Sequence, residues 1–218
     1  MAFIPYRPTF VPNDATLLER SRAYYLFLTT RRSVRDFSER PVPREVIEAL
    51  VMAASTAPSG AHKQPWTFCV VGNPDLKRQI REAAEAEEYR SYTRRMSAEW
   101  LEDLAPLGTD WRKPFLETAP WLIIVFRRIY ETDSDRKRPN YYVMESVGLA
   151  AGFLLTAVHN AGLVALTHTP SPMDFLTKLL NRPANEKPFL LIPIGYPADD
   201  ATVPDIHRKE TDDVLVWY

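Results

Sequence analysis

The feature that most constrains the fold is an unusually apolar segment, residues 145–162, with the sequence ESVGLAAGFLLTAVHNAG. Its large apolar residues recur at helical spacing, and Gly162 stands where a helix would stop. A helix with so little polar surface must pack among other elements. The segment therefore predicts a central core helix. Gly148 and Gly152 leave room for a second helix to approach closely, either from the same chain or from a symmetric partner.

The rest of the chain alternates helical and strand patterns. Helices are predicted at residues 15–30, 43–55 and 74–92, and at SPMDFLTKLL, where Ser171 would cap the helix and Pro172 would begin it. Short β-rich runs predict strands at TFCVV, WLIIVF, LVALTHT and FLLIPIG. This alternation indicates an α/β or α+β layer fold. A chain of 218 residues suffices for one domain, spanning residues 1–218.

Composition argues against several classes of function. A net charge of −1 disfavours a surface built for nucleic acid, and the single cysteine, Cys69, allows no internal disulfide. The histidines form no H-x-x-x-H pair, and the glycines form no dinucleotide, phosphate-loop or serine-hydrolase fingerprint, so we expect no metal site. No signal peptide is visible, and the apolar run 147–158 is shorter than the ~20 residues that span a bilayer. We expect a cytoplasmic protein with no membrane partner.

One charged stretch stands out from this neutral background: RRSVRDF, residues 31–37. Arginine presents a planar fork of donors that matches phosphate oxygens, and Ser33 adds a hydroxyl donor. The alternative is a solvated surface cluster. The loop TAPSGAHKQPWTF favours a ligand site, because Pro58, Ser59 and Gly60 stand where the backbone must turn tightly and can present bare N–H groups.

Taken together, RRSVR, APSGAHKQPW, NAGLVALTHTP and ATVPDIHRK resemble the nitroreductase superfamily, and within it the iodotyrosine deiodinase branch, from about residue 30 to the C-terminus. The resemblance implies an α+β fold, an FMN-dependent α/β sandwich with a central, mostly antiparallel sheet flanked by helices. It also implies an intertwined homodimer that binds FMN between its subunits. In that arrangement residues 1–14 form an N-terminal arm, about 88–113 form a substrate lid, and 198–218 form an extension that reaches the partner subunit.

The same resemblance assigns site residues. Those implied to bind the cofactor are Arg31, Arg32, Ser33, Val34, Arg35, Pro58, Ser59, Thr167, His168, Thr169 and Arg208. Thr169 matches the hydroxyl that hydrogen-bonds flavin N5, a contact that favours one-electron steps and makes it the implied catalytic residue. Without the resemblance, Thr169 is interpreted as a strand-end threonine before Pro170.

The lid carries the residues that would distinguish substrates. Glu88 and Tyr92 lie one turn apart on the helix predicted at 74–92, and an amphipathic segment, SAEWLEDLAPLGTDWRKPF, leads to Lys113. The resemblance implies that Glu88, Tyr92 and Lys113 bind an amino acid zwitterion and that the Ala61 N–H binds the phenolate oxygen. The plainer interpretation is a solvated helix with charge pairs four residues apart, such as Arg78 with Glu82 and Arg81 with Glu85.

These implications predict an oxidoreductase that uses FMN to remove halide reductively from iodo-, bromo- or chlorotyrosine. One alternative is a broad NAD(P)H-dependent nitro or quinone reductase with the same cofactor pocket, since the sequence does not identify the electron donor. Another is a nucleic-acid-binding module that uses RRSVR and RKRPN, which would bind in a salt-sensitive way. Of these three, we predict the homodimeric dehalogenase, with no nucleic-acid partner.

Overall fold

The structure, a computed structural model, describes residues 3–11, 13–133 and 136–218. It divides into two units, Met1–Arg32 and Ser33–Tyr218. The first unit contains helix α1, Asp14–Thr29, and the Asn13 side chain caps it by accepting a hydrogen bond from the Thr16 N–H at 2.9 Å. No residue of α1 is buried, and several of its large apolar side chains are exposed: Leu17, Leu18, Tyr24, Tyr25 and Leu26.

The second unit is built on a four-stranded antiparallel sheet. Its strands are β1 Trp66–Val71, β2 Trp121–Arg128, β5 Val164–Ala165 and β6 Glu186–Gly195, in the order β1-β2-β6-β5. A separate hairpin joins β3 Tyr130–Asp133 to β4 Arg136–Pro139. The antiparallel sheet confirms the predicted α+β class.

Helices cover both faces of this sheet. Alternate residues of β2 point to opposite faces, and Leu122, Ile123, Ile124, Val125 and Phe126 are all fully buried. On one face, α2 Arg44–Ala54 and α6 Val143–Asn160 pack against Ile123, Val125 and Ile192. On the other face, α3 Pro74–Arg90, α5 Phe115–Thr118 and α7 Asp174–Leu179 pack against Leu122, Ile124 and Leu191.

Short elements complete the chain between these helices. A π-helical turn, Ser91–Arg95, follows α3 and leads to α4, Ala98–Leu104. Single 3-10 turns occur at Gly60–His62 and Ala105–Leu107, and α8, Thr211–Val214, lies near the C-terminus. The long helix predicted at 74–92 is therefore α3 with its last residues in the π-helical turn.

Two sequence predictions about secondary structure are corrected, and one element was missed. The strand predicted at LVALTHT is reduced to β5, after which only His168 pairs again, as a single bridge to Leu191. Ser171 does not cap α7; its carbonyl accepts hydrogen bonds from Arg95 Nη1 at 3.0 Å and Ser91 Oγ at 3.4 Å, and the helix begins at Asp174. The β3–β4 hairpin, which contains RKRP, was not predicted.

Helix α6 forms the core predicted for it, with one apolar face left uncovered. Val147, Ala150, Leu154 and Val158 are buried, and Gly162 takes a left-handed φ of 74° after the helix. The other face exposes Met144, Leu149 and Phe153, and apart from neighbouring residues of the helix itself, no atom of the described residues lies within 4 Å of where a Cβ on Gly148 or Gly152 would stand.

Helix α6 is longer than the apolar run 147–158 from which the sequence analysis judged whether the segment could cross a bilayer, and the longer helix changes that result. Val143–Asn160 is long and apolar enough by length and composition to cross a membrane, whereas the run 147–158 considered alone is not. A single such helix is weak evidence for a membrane span, because the core helix of a folded domain passes the same test.

Candidate active site

A cavity of about 160 Å³ lies between residues 88–113 and the chain that follows β5. It collects side chains from the end of α3, the π-helical turn, α4, the approach to α5 and residues 166–169. Its lining includes many of the residues predicted from the sequence: Arg35, Glu88, Tyr92, Lys113, Thr167, His168 and Thr169. These residues are dispersed over more than a hundred positions of sequence, and the fold brings them to one place.

Glu88 and Lys113 form an ion pair in the wall of this cavity. Glu88 Oε2 lies 3.4 Å from Lys113 Nζ, and the two side chains are 10% and 4% exposed. Burial raises the pKa of the Glu88 carboxyl, and the charge and hydrogen bond of Lys113 offset this only in part. Burial likewise lowers the pKa of the Lys113 ammonium, and the negative charges of Glu88 and Asp110 raise it by less than burial lowers it. Both charges are therefore less stabilised than they would be in water.

Tyr92 and Thr109 complete the polar side of the cavity. The Tyr92 hydroxyl donates to the Thr109 carbonyl at 3.3 Å, and Lys113 Nζ donates to Thr109 Oγ1 at 3.2 Å and to the Asp110 carbonyl. The Lys113 ammonium also lies 5.5 Å from the centre of the Tyr92 ring. Burial raises the pKa of the Tyr92 phenol, so the hydroxyl keeps its proton and remains a hydrogen-bond donor.

His168 faces the protein interior, whereas its neighbours Thr167 and Thr169 are exposed. Its ring meets the edge of the Phe115 ring at 5.8 Å between centres, and its backbone pairs with Leu191 in both directions at 2.9 Å. Burial first, and then the charges of Lys113 and Arg35, lower the pKa of His168 to about 3. The imidazole is neutral, and its buried Nε2 has no hydrogen-bond partner within the described residues.

The arginine-rich stretch runs beside β5. Ser33 forms a parallel bridge with Ala165, and the Val34 N–H donates to the Ala165 carbonyl at 3.3 Å. This pairing carries Arg35 to the cavity wall. The Val34 side chain is buried in the core, so a ligand contact from this residue would come from its backbone.

The lining of this cavity does not include three other arginines that were predicted to bind the cofactor. Arg31 and Arg32 end the first unit, where the Arg31 N–H donates to the Leu28 carbonyl at 3.2 Å. Arg208 is exposed in the segment after β6 and does not line the cavity. The roles assigned to these arginines by resemblance stay predictions.

The loop around Ser59 has a strained backbone that its hydrogen bonds hold in place. Ala61, His62 and Gln64 all have left-handed φ values, between 47° and 54°. Ser59 Oγ accepts a hydrogen bond from the Gln64 N–H at 2.9 Å. A Cβ on Gly60 would stand 2.8 Å from the Tyr141 carbonyl oxygen, so glycine is required by this close approach. The loop exposes Pro58, Ala61 and His62.

Sequence reasoning missed several residues of this site. No local sequence pattern marks four of the residues that line the cavity: Met96, Thr109, Phe115 and Leu166. Of the two predicted charge pairs on α3, the one between Arg81 and Glu85 is confirmed, at 2.6 Å. The other is corrected: Arg78 pairs with Asp75 at 2.8 Å, not with Glu82. Glu82 instead lies 3.7 Å from Arg81. Over residues 3–11, 13–133 and 136–218, no cluster of three histidine, cysteine or acidic side chains is arranged to hold a metal.

Comparison with known proteins defines the class to which this site belongs. The sequence model of the Nitroreductase family matches residues 28–196. The chain therefore belongs to the nitroreductase family.

Within that class, two similar proteins are named iodotyrosine deiodinase. The iodotyrosine deiodinase of Haliscomenobacter hydrossis is 63% identical over 219 residues, covering 100% of this chain and 98% of that protein. Iodotyrosine deiodinase 1 of Mus musculus is 47% identical over 215 residues, covering 98% of this chain and 75% of the relative.

A solved structure supports the same placement. Oxidized iodotyrosine deiodinase bound to FMN and 3-iodo-L-tyrosine superposes with a TM-score of 0.76 at 35% identity, covering 89% of this chain and 97% of that one. A nitroreductase-like protein of Streptococcus mutans, 20% identical with a TM-score of 0.66 over 91% of this chain and 99% of its own, shares the fold.

Proposed function

We propose that this protein uses FMN to remove halide reductively from halogenated tyrosines, giving tyrosine and a halide ion. The observation that carries the proposal is the convergence of Glu88, Tyr92 and Lys113 in one cavity. The similarity to proteins named iodotyrosine deiodinase, one of them solved with FMN and 3-iodo-L-tyrosine, supports it.

The residues around the cavity fit a flavin mononucleotide. Arg35 places a permanent positive charge at the cavity wall, and Thr167 and Thr169 present exposed hydroxyls beside it. Ser33, Ser59 and Thr169 would supply further hydrogen bonds, with Thr169 facing flavin N5. When bound, FMN supplies the electrons for cleavage of the carbon–halogen bond. The protein's own residues bind and orient the substrate.

The amino acid head of the substrate would replace an internal ion pair. Glu88 would accept hydrogen bonds from the α-ammonium, while Lys113 and the Tyr92 hydroxyl would donate to the α-carboxylate. The pKa shifts support this, because Glu88 and Lys113 are buried charges that stabilise each other incompletely at 3.4 Å. A zwitterion offers each of them a second partner of opposite charge. Tyrosine lacking its charged head would gain nothing from this pair.

The phenol end of the substrate would accept a hydrogen bond from the backbone N–H of Ala61, an exposed residue. A halogen ortho to the hydroxyl lowers the pKa of the phenol below its usual value of about 10, so a site that binds phenolate prefers halotyrosine to tyrosine. The net reaction takes up two electrons and one proton: the carbon–halogen bond breaks, a carbon–hydrogen bond forms and halide leaves. Closure of the lid excludes water and strengthens the charged contacts.

A homodimer is part of the proposal. The uncovered face of α6, with Met144, Leu149 and Phe153 around Gly148 and Gly152, is suited to close packing against a second copy. The C-terminal segment adds exposed apolar side chains, Val214, Val216 and Trp217, which fit an extension that reaches the partner. Size-exclusion chromatography with light scattering tests this directly.

The function is tested by turnover of the purified protein with a chemical reductant. With FMN bound and dithionite as the electron source, 3-iodotyrosine should yield equal amounts of tyrosine and iodide, beyond what an enzyme-free control releases. Nitrobenzene, which dithionite reduces without any enzyme, is tested with NADPH instead and should react at least ten times more slowly. Lys113→Met should lose the iodotyrosine activity, and the exposed Lys178→Met should keep it. Fast NADPH-dependent reduction of nitrobenzene with no iodide release would instead establish the broad reductase.

A further inference from the structure

Lys113 is held in the structure by two different carboxylates on α3. Glu88 contacts its ammonium, whereas Glu85, nearly one turn earlier, accepts a hydrogen bond from its backbone N–H at 2.7 Å through Oε1. The two contacts have different consequences. The first must be exchanged when a ligand carboxylate arrives at the Lys113 ammonium, but the second lies on the main chain and can persist.

Glu85 is itself fixed. Its second oxygen, Oε2, accepts from Arg81 Nη1 at 2.6 Å, and Arg81 also pairs through Nε with Glu117 in α5. The Glu85 side chain is 15% exposed and does not line the cavity. Glu85 therefore links α3 to the chain that enters α5 without contacting a ligand bound in the cavity beside Glu88.

This link bears on the geometry of the amine. Lys113 lies two residues before the start of α5, and its carbonyl accepts a hydrogen bond from the Leu116 N–H at 3.0 Å, so the residue is anchored on its C-terminal side as well. Its N-terminal side is the loop through Thr109 and Asp110. Without Glu85, the Lys113 N–H would lose its acceptor, and the position from which the ammonium extends would no longer be fixed to the helix that carries Glu88. A misplaced charge weakens its contacts steeply.

We infer that Glu85 is a positioning residue that acts through the Lys113 backbone and determines recognition of the amino acid head of the substrate. The inference rests on the proposed function for the identity of that ligand. It assigns no contact between Glu85 and the substrate. Its consequence is selective: ligands with a charged head depend on Glu85, and ligands that share only the halophenol ring do not.

The test compares two ligands on the FMN-loaded protein. Flavin fluorescence is followed during titration with 3-iodotyrosine and with 2-iodophenol, which lacks the amino acid head. Glu85→Ala should weaken iodotyrosine binding about 10- to 30-fold and leave 2-iodophenol within 2-fold. Glu85→Gln, which keeps an acceptor for the Lys113 N–H, should recover most of that loss. Glu82→Ala is the matched control, because Glu82 faces the same Arg81 but is not bonded to Lys113.

Hydrogen exchange gives a second readout that needs no ligand. The peptide covering residues 109–116 should exchange faster in Glu85→Ala than in the wild type, and Glu82→Ala should match the wild type. Equal losses for both ligands, or unchanged iodotyrosine binding and exchange in Glu85→Ala, would overturn the inference. If the wild type itself binds no iodotyrosine, the proposed function fails, and the exchange experiment alone decides whether Glu85 holds Lys113.

Discussion

Glu88 and Glu186 are both buried carboxylates, yet their surroundings affect them in opposite ways. Glu186, at the start of β6, accepts from Thr67 Oγ1 at 2.6 Å and Arg182 Nε at 2.7 Å, with Arg128 at 3.7 Å. Burial alone would raise the pKa of its carboxyl, but these hydrogen bonds and charges outweigh burial and lower it. The pKa of Glu88, with Lys113 at 3.4 Å, is raised.

The difference distinguishes a carboxylate whose charge is fully paired within the fold from one whose charge is only partly paired and faces a cavity. Around Glu186, several donors converge, as they do where a buried charge stabilises a structure. Around Glu88, one weak ion pair faces a cavity. Shifted pKa values in a cavity are typical of functional sites. The contrast therefore predicts that Glu186 matters for stability and Glu88 for binding.

The largest expected effect is on Glu186. Glu186→Ala leaves Arg182 and Thr67 without their shared acceptor and should lower the free energy of unfolding by about 3 kcal/mol. Urea unfolding monitored by tryptophan fluorescence measures this. The control is Glu48→Ala, which removes an exposed ion pair with Arg44 at 2.9 Å and should change stability by less than about 0.5 kcal/mol. Equal effects of the two changes would break the contrast.

The next largest effect is expected at Glu88, where a substitution should weaken ligand binding without lowering stability. Glu88→Gln should weaken 3-iodotyrosine binding about 100-fold, or about 2.7 kcal/mol, since a neutral amide cannot pair with the α-ammonium. Its stability at pH 7 should not fall, because a carboxyl with a raised pKa contributes stability at low pH that is lost as pH rises through its folded value. Calorimetric titration and urea unfolding of the same preparation test both parts. A variant that binds normally but unfolds easily would assign Glu88 to the fold.

The buried His168 should make the free energy of unfolding depend on pH in the acid range. Its pKa of about 3 in the folded protein lies below the ordinary value of 6.5, so the unfolded chain takes up the proton first. Stability should therefore fall as pH decreases from about 6.5 towards 3, by about 2 kcal/mol at pH 5 from this residue. His168→Gln should reduce the stability difference between pH 7.5 and pH 5 by that amount, whereas exposed His207→Gln should not. Parallel pH profiles for wild type and His168→Gln would contradict the assignment of a buried neutral imidazole.

The smallest expected effect concerns one donor to Glu186. Thr67→Val keeps the shape of the side chain but removes the hydroxyl that bonds Glu186 Oε1 and accepts from Arg128 at 2.9 Å. The expected loss is about 1.5 kcal/mol in the free energy of unfolding, with iodotyrosine affinity unchanged. Thermal unfolding and the same ligand titration measure the two quantities. A change in affinity would mean that the Glu186 cluster is coupled to the cavity.

Local sequence signals allowed much of the fold to be predicted. The core helix follows from the helical spacing of its apolar residues, three of the four sheet strands follow from short β-rich runs, and Gly162 marks a helix end that the structure confirms. The strand at LVALTHT was predicted too long, because a β-rich composition does not reveal that only His168 finds a partner after β5. Ser171 matched a capping pattern, but its carbonyl is used by Arg95 instead.

The site was less accessible to sequence reasoning. Glu88, Tyr92 and Lys113 were predicted through resemblance, since spacing alone is equally typical of a solvated helix. Thr109 and Glu85 were missed as site residues because their contacts to Lys113 depend on where the loop folds back on α3, which no local pattern encodes. Glu85 was predicted only as the partner of Arg81, whereas it also accepts a hydrogen bond from the Lys113 N–H.

The central claim is that Glu88 and Lys113 form the receptor for an amino acid head, and a paired titration tests it most directly. The FMN-loaded protein is titrated with 3-iodotyrosine and with N-acetyl-3-iodotyrosine, whose ammonium has been replaced by a neutral amide. The account predicts saturable binding of the first and at least 30-fold weaker binding of the second, with the difference abolished in Glu88→Gln. Equal affinity of the wild type for the two compounds would contradict it.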